Sequence, residues 1–424
     1  MTILADLLST VFERRGRGPA AKPDGRSLPE LAAALMGASA ETEGLSLARQ
    51  ILDRYEFLDE AGRAAFFAHL AGQMDIDPQA VRASLDAYED GRGAGAYRAF
   101  LAAAEPPRQE LIRRLNQVPG ATHRLVEMRA DLLRLARKRP ELGALDQDLR
   151  HLFRSWFNRG FLVSRPITWD SPASVLEKII AYEAVHAIQS WDDLRLRLAP
   201  SDRRCFAFFH PAMPEEPLIF VEVALTRGIP GSIQALLDDD RAAQSAAEAD
   251  TAVFYSISNC QEGLAGISFG NFLIKQVAAD LAAALPGLKT FVTLSPIPGL
   301  MRWIAAEGLE ADPADAEAMR ILAARYLLGA RREDGKPADP VARFHLGNGA
   351  LVHAVHGGAD ISANGMAQSG GAMVNYLYDL ARVTPNHEAY AQRGEIAATP
   401  AVRALAARPP HQDTTSRARE KTDG

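Results

Sequence analysis

Apolar residues recur at three- and four-residue steps through the first 158 residues of the chain. That is the spacing of helices that each bury one face. The pattern predicts helices over Leu45–Phe57, Glu60–Leu70, Pro78–Glu89 and Ala121–Lys138. Breaks are expected at Pro29–Glu30, Asp77–Pro78, Pro106–Pro107 and Pro119–Gly120. Ser39, with Glu41 and Glu43 after it, reads as a helix start. Strand-like alternation is nearly absent, so this region is expected to be a helical bundle for scaffolding or self-association. The pair Arg113–Arg114 reads as a solvated helix face.

The texture changes near Gly160. Phe161–Trp169 reads as extended, and Ser171–His186 as a helix capped by Ser171 with Pro172 in its first turn. Short apolar runs follow at Cys205–Phe209, Leu218–Leu225 and Val253–Ile257, with a helix at Ile233–Leu237. These predict a mixed domain on one central sheet. Its most distinctive stretch is Gln261–Gly299. Gly263, Gly266 and Gly270 mark a sharp turn, and Phe269, Leu273, Val277, Leu281 and Leu285 give the next helix one apolar face. Thr290–Leu294 reads as a buried strand with Ser295 at its exit, before Pro296, Pro298 and Gly299. A helix N-terminus after a glycine turn suits a pyrophosphate. The same pattern also fits a plain loop–helix–strand unit with glycines placed for close packing. Beyond Gly299 the chain reads as mostly helical, with helices at Met319–Leu328, Gly371–Arg382 and Pro385–Arg393. No internal repeat is visible.

Composition narrows the class. The 424 residues carry 47 Lys+Arg against 53 Asp+Glu, a formal charge of −6, so no broad basic face is available for nucleic acid. Hydrophobic residues at 47% are enough for a sizeable core. No apolar run is long enough for a membrane span. The N-terminal MTILADLLSTVFERRGRG lacks the pattern of a secretory signal, and EKTDG at the end matches no lipidation or peroxisomal address. Cys205 and Cys260 lack metal-ligand spacing and read as small buried hydrophobes in a reducing, cytoplasmic setting.

Several residues could carry chemistry. His345, in ARFHLGNGA, either faces a cleft or packs in the core. His353 and His356 form an HxxH pattern, a weak metal signal. His69, His123, His151 and His210 read as structural. Glu222 alternates with apolar neighbours and so faces one side of the sheet. Glu215 and Glu216 flank it. Asn375, Tyr376 and Tyr378 follow the flexible SGGAM and read as core aromatics or as hydrogen-bond donors. No GxSxG elbow and no Walker A pattern is present.

Taken together, FLVSRPITWDSPASVLEKI, EAVHAIQSWDDL, HPAMPEEPLIFVEVALTRGIPGSIQALLD, VFYSISNCQEGLAGISFGNFLIKQV, TLSPIPG, ARFHLGNGA and VNYLYDL resemble the malonyl-CoA decarboxylase family. The resemblance covers residues 161–380 and fits the helical region more loosely. It implies an α+β chain: an all-helical N-terminal bundle over 1–158, then a GNAT (N-acetyltransferase)-like mixed α/β catalytic domain over 159–408. A disordered tail over 409–424 is expected from its polar composition. The resemblance implies conversion of malonyl-CoA to acetyl-CoA and CO₂ with neither metal nor organic cofactor, in a homo-oligomer, a tetramer or dimer. It places catalytic roles on Ser295, His345 and Tyr378. It places the CoA-binding turn on Ala265, Gly266, Ile267, Ser268, Phe269, Gly270 and Asn271. Ser268 stands where some members carry a glutamate, a role that Glu222 or Glu262 would have to fill. A histidine titrating near neutrality would protonate C2 of the enolate. An acyl-CoA-dependent N-acyltransferase and a non-catalytic malonyl-CoA sensor are the alternatives. Free thiol release would mark the first, and absence of CO₂ release the second.

Overall fold

The computed structural model describes residues 25–238, 240–267 and 273–409. Ser268, Phe269, Gly270 and Asn271 of the expected CoA turn lie outside them. So do the N-terminal 18 residues and all but the first residue of the polar tail. The chain divides into two compact units. One comprises residues 1–163 with 210–216 and 261–268, and the other comprises 164–209, 217–260 and 269–424.

The first unit is helical from Leu28 to Trp156. Its helices form for local reasons. Over Glu41–Glu56, Leu47, Ala48, Ile51, Leu52 and Tyr55 fall on one face and are buried. Asp77 caps Pro78–Gly91 through the backbone N–H of Gln79. Three local expectations are corrected. Ser39 is not the cap: Ala40 holds that position without a side-chain bond, and Glu41 and Glu43 supply negative charge to the first turn instead. Pro29 is no break, because Ser27 and Glu30 form a capping box around it and Leu28–Gly37 begins there. Arg114 is not simply solvated; its Nη1 donates to the carbonyls of Leu35, Met36 and Ala38 at the end of that helix. The hairpin of Pro78–Gly91 and Ala94–Ala104 buries no residue.

The second unit is built on one mixed sheet. Its strands are β1 (Val163–Ile167), β2 (Arg203–His210), β3 (Met213–Thr226), β4 (Thr251–Asn259), β5 (Thr290–Thr293), β6 (Ser295–Pro296), β7 (Leu351–His356) and β8 (Met373–Leu377). The order is β1-β2-β3-β4-β5-β8-β6, with β7 also paired to β8. β4 and β5 are parallel, joined by a crossover that carries the helix Leu273–Ala284. That helix buries Leu273, Val277 and Leu281, as its spacing predicts. A bulge in β4 leaves Tyr255 as the extra residue between the Glu222↔Ser256 and Val223↔Phe254 pairs.

The expected helix over Gly371–Arg382 is absent; its first half holds β8, paired antiparallel with β7. Gly370 and Gly371 sit at φ +56° and +77°, where a helix cannot continue. Met373 through Tyr376 are buried on both faces, so no alternation marks the strand. The helix expected to run to His186 ends at Tyr182, and Glu183 then accepts from the N–H groups of Val185 and His186. Pro172 is its cap residue, while Ser171 Oγ accepts from Thr168 N. Cys205 and Cys260 are buried and unbridged. Among the described residues no helix is long and apolar enough to cross a membrane.

Candidate active site

Ser295 begins β6, paired with Val374 of β8. His345 comes from the helix Pro340–Gly347, whose start is well determined. Asp339 Oδ1 accepts from the N–H groups of Val341 and Ala342, and Pro340 sets the first helical φ. Asp339 Oδ2 accepts from Gly299 N at 3.4 Å, so the same carboxylate also ties down the loop after Ser295. A Cβ on Gly299 would meet the Tyr326 hydroxyl at 2.0 Å, which explains glycine there. Tyr378 follows β8, anchored by its N–H on Phe291 O.

These elements bring the three residues together. Ser295 Oγ lies 3.3 Å from His345 Nε2, and His345 Nδ1 lies 2.8 Å from the Tyr378 hydroxyl. All three are buried. Ser295 Oγ also donates to Thr293 Oγ1 at 2.8 Å, which accepts from Tyr376 N at 3.1 Å. The imidazole stacks on Tyr376, centroids 4.6 Å apart. Burial keeps the Tyr378 phenol protonated, well above its ordinary pKa, while a hydrogen bond from Asn348 acts against that rise. A protonated phenol donates to the unprotonated Nδ1 of a neutral imidazole. The imidazole N–H is then on Nε2, directed at Ser295.

Burial pushes His345 down to about 3, so at neutral pH the ring is uncharged among these protein groups. This corrects the expectation of a histidine titrating near neutrality. Its ring nitrogens face two hydroxyls, and no carboxylate offsets the desolvation.

Ser295 and His345 open on a cavity of about 240 Å³ walled by Phe254, Ile257, Pro296, Phe344, Val185 and Asn259, among others. Among the described residues no charged side chain lines it. Glu222 is not in its wall. It is fully buried with its Oε2 3.0 Å from Arg197 Nη1, and burial lifts its carboxyl to about 8 in spite of that arginine. Glu262 lies exposed on the short turn Glu262–Leu264. His356 Nε2 is 2.5 Å from Asn375 Oδ1, and Asn375 Nδ2 donates to Thr293 O. His210 packs on Phe157 with Nε2 on Trp156 O, a structural placement. Among the described residues no group of three or more metal-type ligands converges.

Ala265, Gly266 and Ile267 form the described part of the expected CoA turn. Gly266 has φ +74°. Arg129, itself buried and paired with Asp146, donates through Nη1 to the carbonyls of Gly263 and Ala265. A Cβ on Gly263 would meet Val126 O at 1.8 Å, so that position admits only glycine.

The reading from sequence passed over Thr293, Asp339, Glu183 and Arg129. Two of them carry a local signal. Thr293 is two positions before Ser295 on the same strand path, and Asp339-Pro340 is a cap followed by a first-turn proline. Glu183, which accepts from the Ser256 and Ser258 hydroxyls, and Arg129 act across long sequence separations and leave no such trace.

The comparisons with known proteins point one way. Residues 160–316 and 310–417 match the model of the malonyl-CoA decarboxylase C-terminal domain, and 75–157 match that of the N-terminal domain. The solved malonyl-CoA decarboxylase from Rhodopseudomonas palustris superposes with TM-score 0.85 at 48% identity, over 90% of this chain and 100% of that one. The Agrobacterium vitis structure gives 0.84 and 49% over the same shares. The mitochondrial enzyme of Anser anser anser is 35% identical over 336 residues, 67% of this chain and 66% of its own length. That of Rattus norvegicus is 32% identical over 353 residues, 71% of each.

Proposed function

We infer the reaction from one premise: the chain belongs to the malonyl-CoA decarboxylase family. It is a carboxy-lyase that converts malonyl-CoA to acetyl-CoA and CO₂. The observation that carries the mechanism is the Ser295–His345–Tyr378 chain opening on a cavity with no charged side chain in its wall.

Cleavage of the bond between C2 and the carboxylate leaves an electron pair on C2. The thioester carbonyl takes up that pair as an enolate, so the substrate supplies its own electron sink. Beyond His345 the described cavity wall carries no charged side chain, so the malonate carboxylate is poorly solvated there, which favours its departure as neutral CO₂. Ser295 Oγ–H, which rests on Thr293 Oγ1 without ligand, swings to the thioester oxygen on which charge develops, and His345 Nε2 stays beside it. The Tyr378 hydrogen bond holds the imidazole in that orientation.

His345 supplies the proton to C2. Its depressed pKa belongs to the ring among protein groups alone. An incoming carboxylate adds an anion beside it and raises its affinity for a proton. The imidazolium formed in the complex is the acid, and Ser295 keeps the thioester oxygen in place. The turn Ala265–Asn271 anchors the CoA nucleotide, so binding energy remote from the reacting carbon positions the acyl end. The active species is a cytoplasmic homo-oligomer.

Purified protein given malonyl-CoA is expected to release CO₂ and acetyl-CoA in equal amounts with no free thiol. His345→Ala should lower kcat by about 10²–10⁴-fold, the usual weight of a positioned acid. Ser295→Ala should lower kcat too, with the fold intact by circular dichroism. Because the acid must be protonated in the complex, kcat should fall as pH rises. Wild-type turnover in both alanine variants would overturn the assignment, and free CoA release would point to acyl transfer.

A further inference from the structure

We infer that Arg150, on the helix Gly143–Trp156, is a phosphate-binding residue for the CoA moiety. This rests on the reading that the turn beginning at Ala265 holds CoA.

Arg150 lies against that turn. A Cβ placed on Gly266 would be 3.5 Å from Arg150 Cζ and Nη2 and 3.6 Å from its Nε, so the flat guanidinium packs along the glycine. Its Nε is shielded from solvent and has no hydrogen-bond partner among the described residues. The carboxylates on its own helix are already engaged. Asp146 accepts from Arg129 Nε at 2.8 Å, and Asp148 accepts from Arg108 Nε and Gln109 Nε2. A half-buried arginine without a counter-ion is unfavourable unless an anion arrives.

Three amides at the start of the turn are already used. Leu264 N, Ala265 N and Ile267 N are bonded to Gln261 O, Glu262 O and Leu264 O. Those amides stabilise the turn itself and cannot receive phosphate oxygens. Gly266 lets a ligand approach the backbone closely, and Arg150 supplies the charge at the same spot. A guanidinium presents parallel N–H groups that match two oxygens of one phosphate. Arg129, by contrast, is already engaged by Asp146 and two carbonyls, so it shapes the turn while Arg150 serves the ligand.

The test measures binding and turnover separately. CoA, dephospho-CoA and pantetheine are titrated calorimetrically into wild type, Arg150→Met and Arg150→Lys. Malonyl-CoA and malonyl-pantetheine are compared as substrates. Arg150→Met should bind CoA at least tenfold more weakly and Arg150→Lys only a few-fold more weakly. KM for malonyl-CoA should rise with kcat unchanged, and kcat/KM for malonyl-pantetheine should not move. A smaller loss with dephospho-CoA would assign the 3′-phosphate, and an equal loss the pyrophosphate; both support the inference. Equal CoA affinity in Arg150→Met and wild type overturns it, as does a matching loss on malonyl-pantetheine, which would mean a structural role. If wild-type protein does not bind CoA, the reading of the turn fails and the inference falls with it.

Discussion

Thr293 illustrates how much one side chain can fix. Its hydroxyl oxygen accepts from Tyr376 N and from Ser295 Oγ, and so sets where the Ser295 hydroxyl can be. Thr293→Val keeps the shape and removes that acceptor. The expected result is a fall in kcat of about tenfold, with a stability loss of about 1–3 kcal/mol for the unsatisfied buried N–H. Thr293→Ser should restore most of the rate. Steady-state kinetics beside urea unfolding separate the two effects, and a valine variant at full kcat would remove Thr293 from the positioning role. Ser295, His345 and Tyr378 were singled out through the family resemblance, and they meet in the structure. The state of His345 was not legible. Its neutral ring comes from burial among residues up to fifty positions away, and no spacing reports desolvation.

Among the elements, those with exposed polar faces were the readable ones. The helices of the first unit and Leu273–Ala284 follow their spacing, because each has a wet side to contrast with its dry one. β8 was missed because the pattern vanishes when both faces are covered. Gly370 and Gly371 gave the only local warning, and two adjacent left-handed residues read equally well as a flexible hinge. The helix Pro340–Gly347 is short, and its cap matters in proportion. Asp339→Ala should destabilise the protein by about 1–2 kcal/mol. It should also lower kcat, since the helix that carries His345 loses its fixed start. Asp339→Asn should retain more of both. Urea midpoints together with kcat decide the matter, and an alanine variant equal to wild type in both would show that the cap is dispensable.

For the molecule as a whole, composition and periodicity were enough for a helical region followed by a mixed sheet. They could not show that residues 261–268 group with the helices, which depends on Arg129 and on the lack of a side chain at Gly263. Nor could they show a hairpin left uncovered. On Pro78–Gly91 and Ala94–Ala104 nothing is buried, and Tyr97 and Leu101 are 49% and 48% exposed beside Tyr88 and Phe100. The homo-oligomer proposed above gives this face an occupant, a second copy of the chain. Replacing Tyr97 and Leu101 together by glutamate should shift the light-scattering mass to a smaller species. An unchanged mass would move the self-association surface elsewhere.

The tie between Asp339 and Gly299 N has a practical corollary. The loop that presents the hydroxyl and the helix that presents the imidazole are fastened to each other by a carboxylate that takes no part in bond breaking. Their spacing therefore does not depend on the reacting groups. Chemistry can be silenced at Ser295 or His345 while the surrounding scaffold stays as built. Such inert forms are the natural material for trapping an intact thioester and observing it before its carboxylate departs.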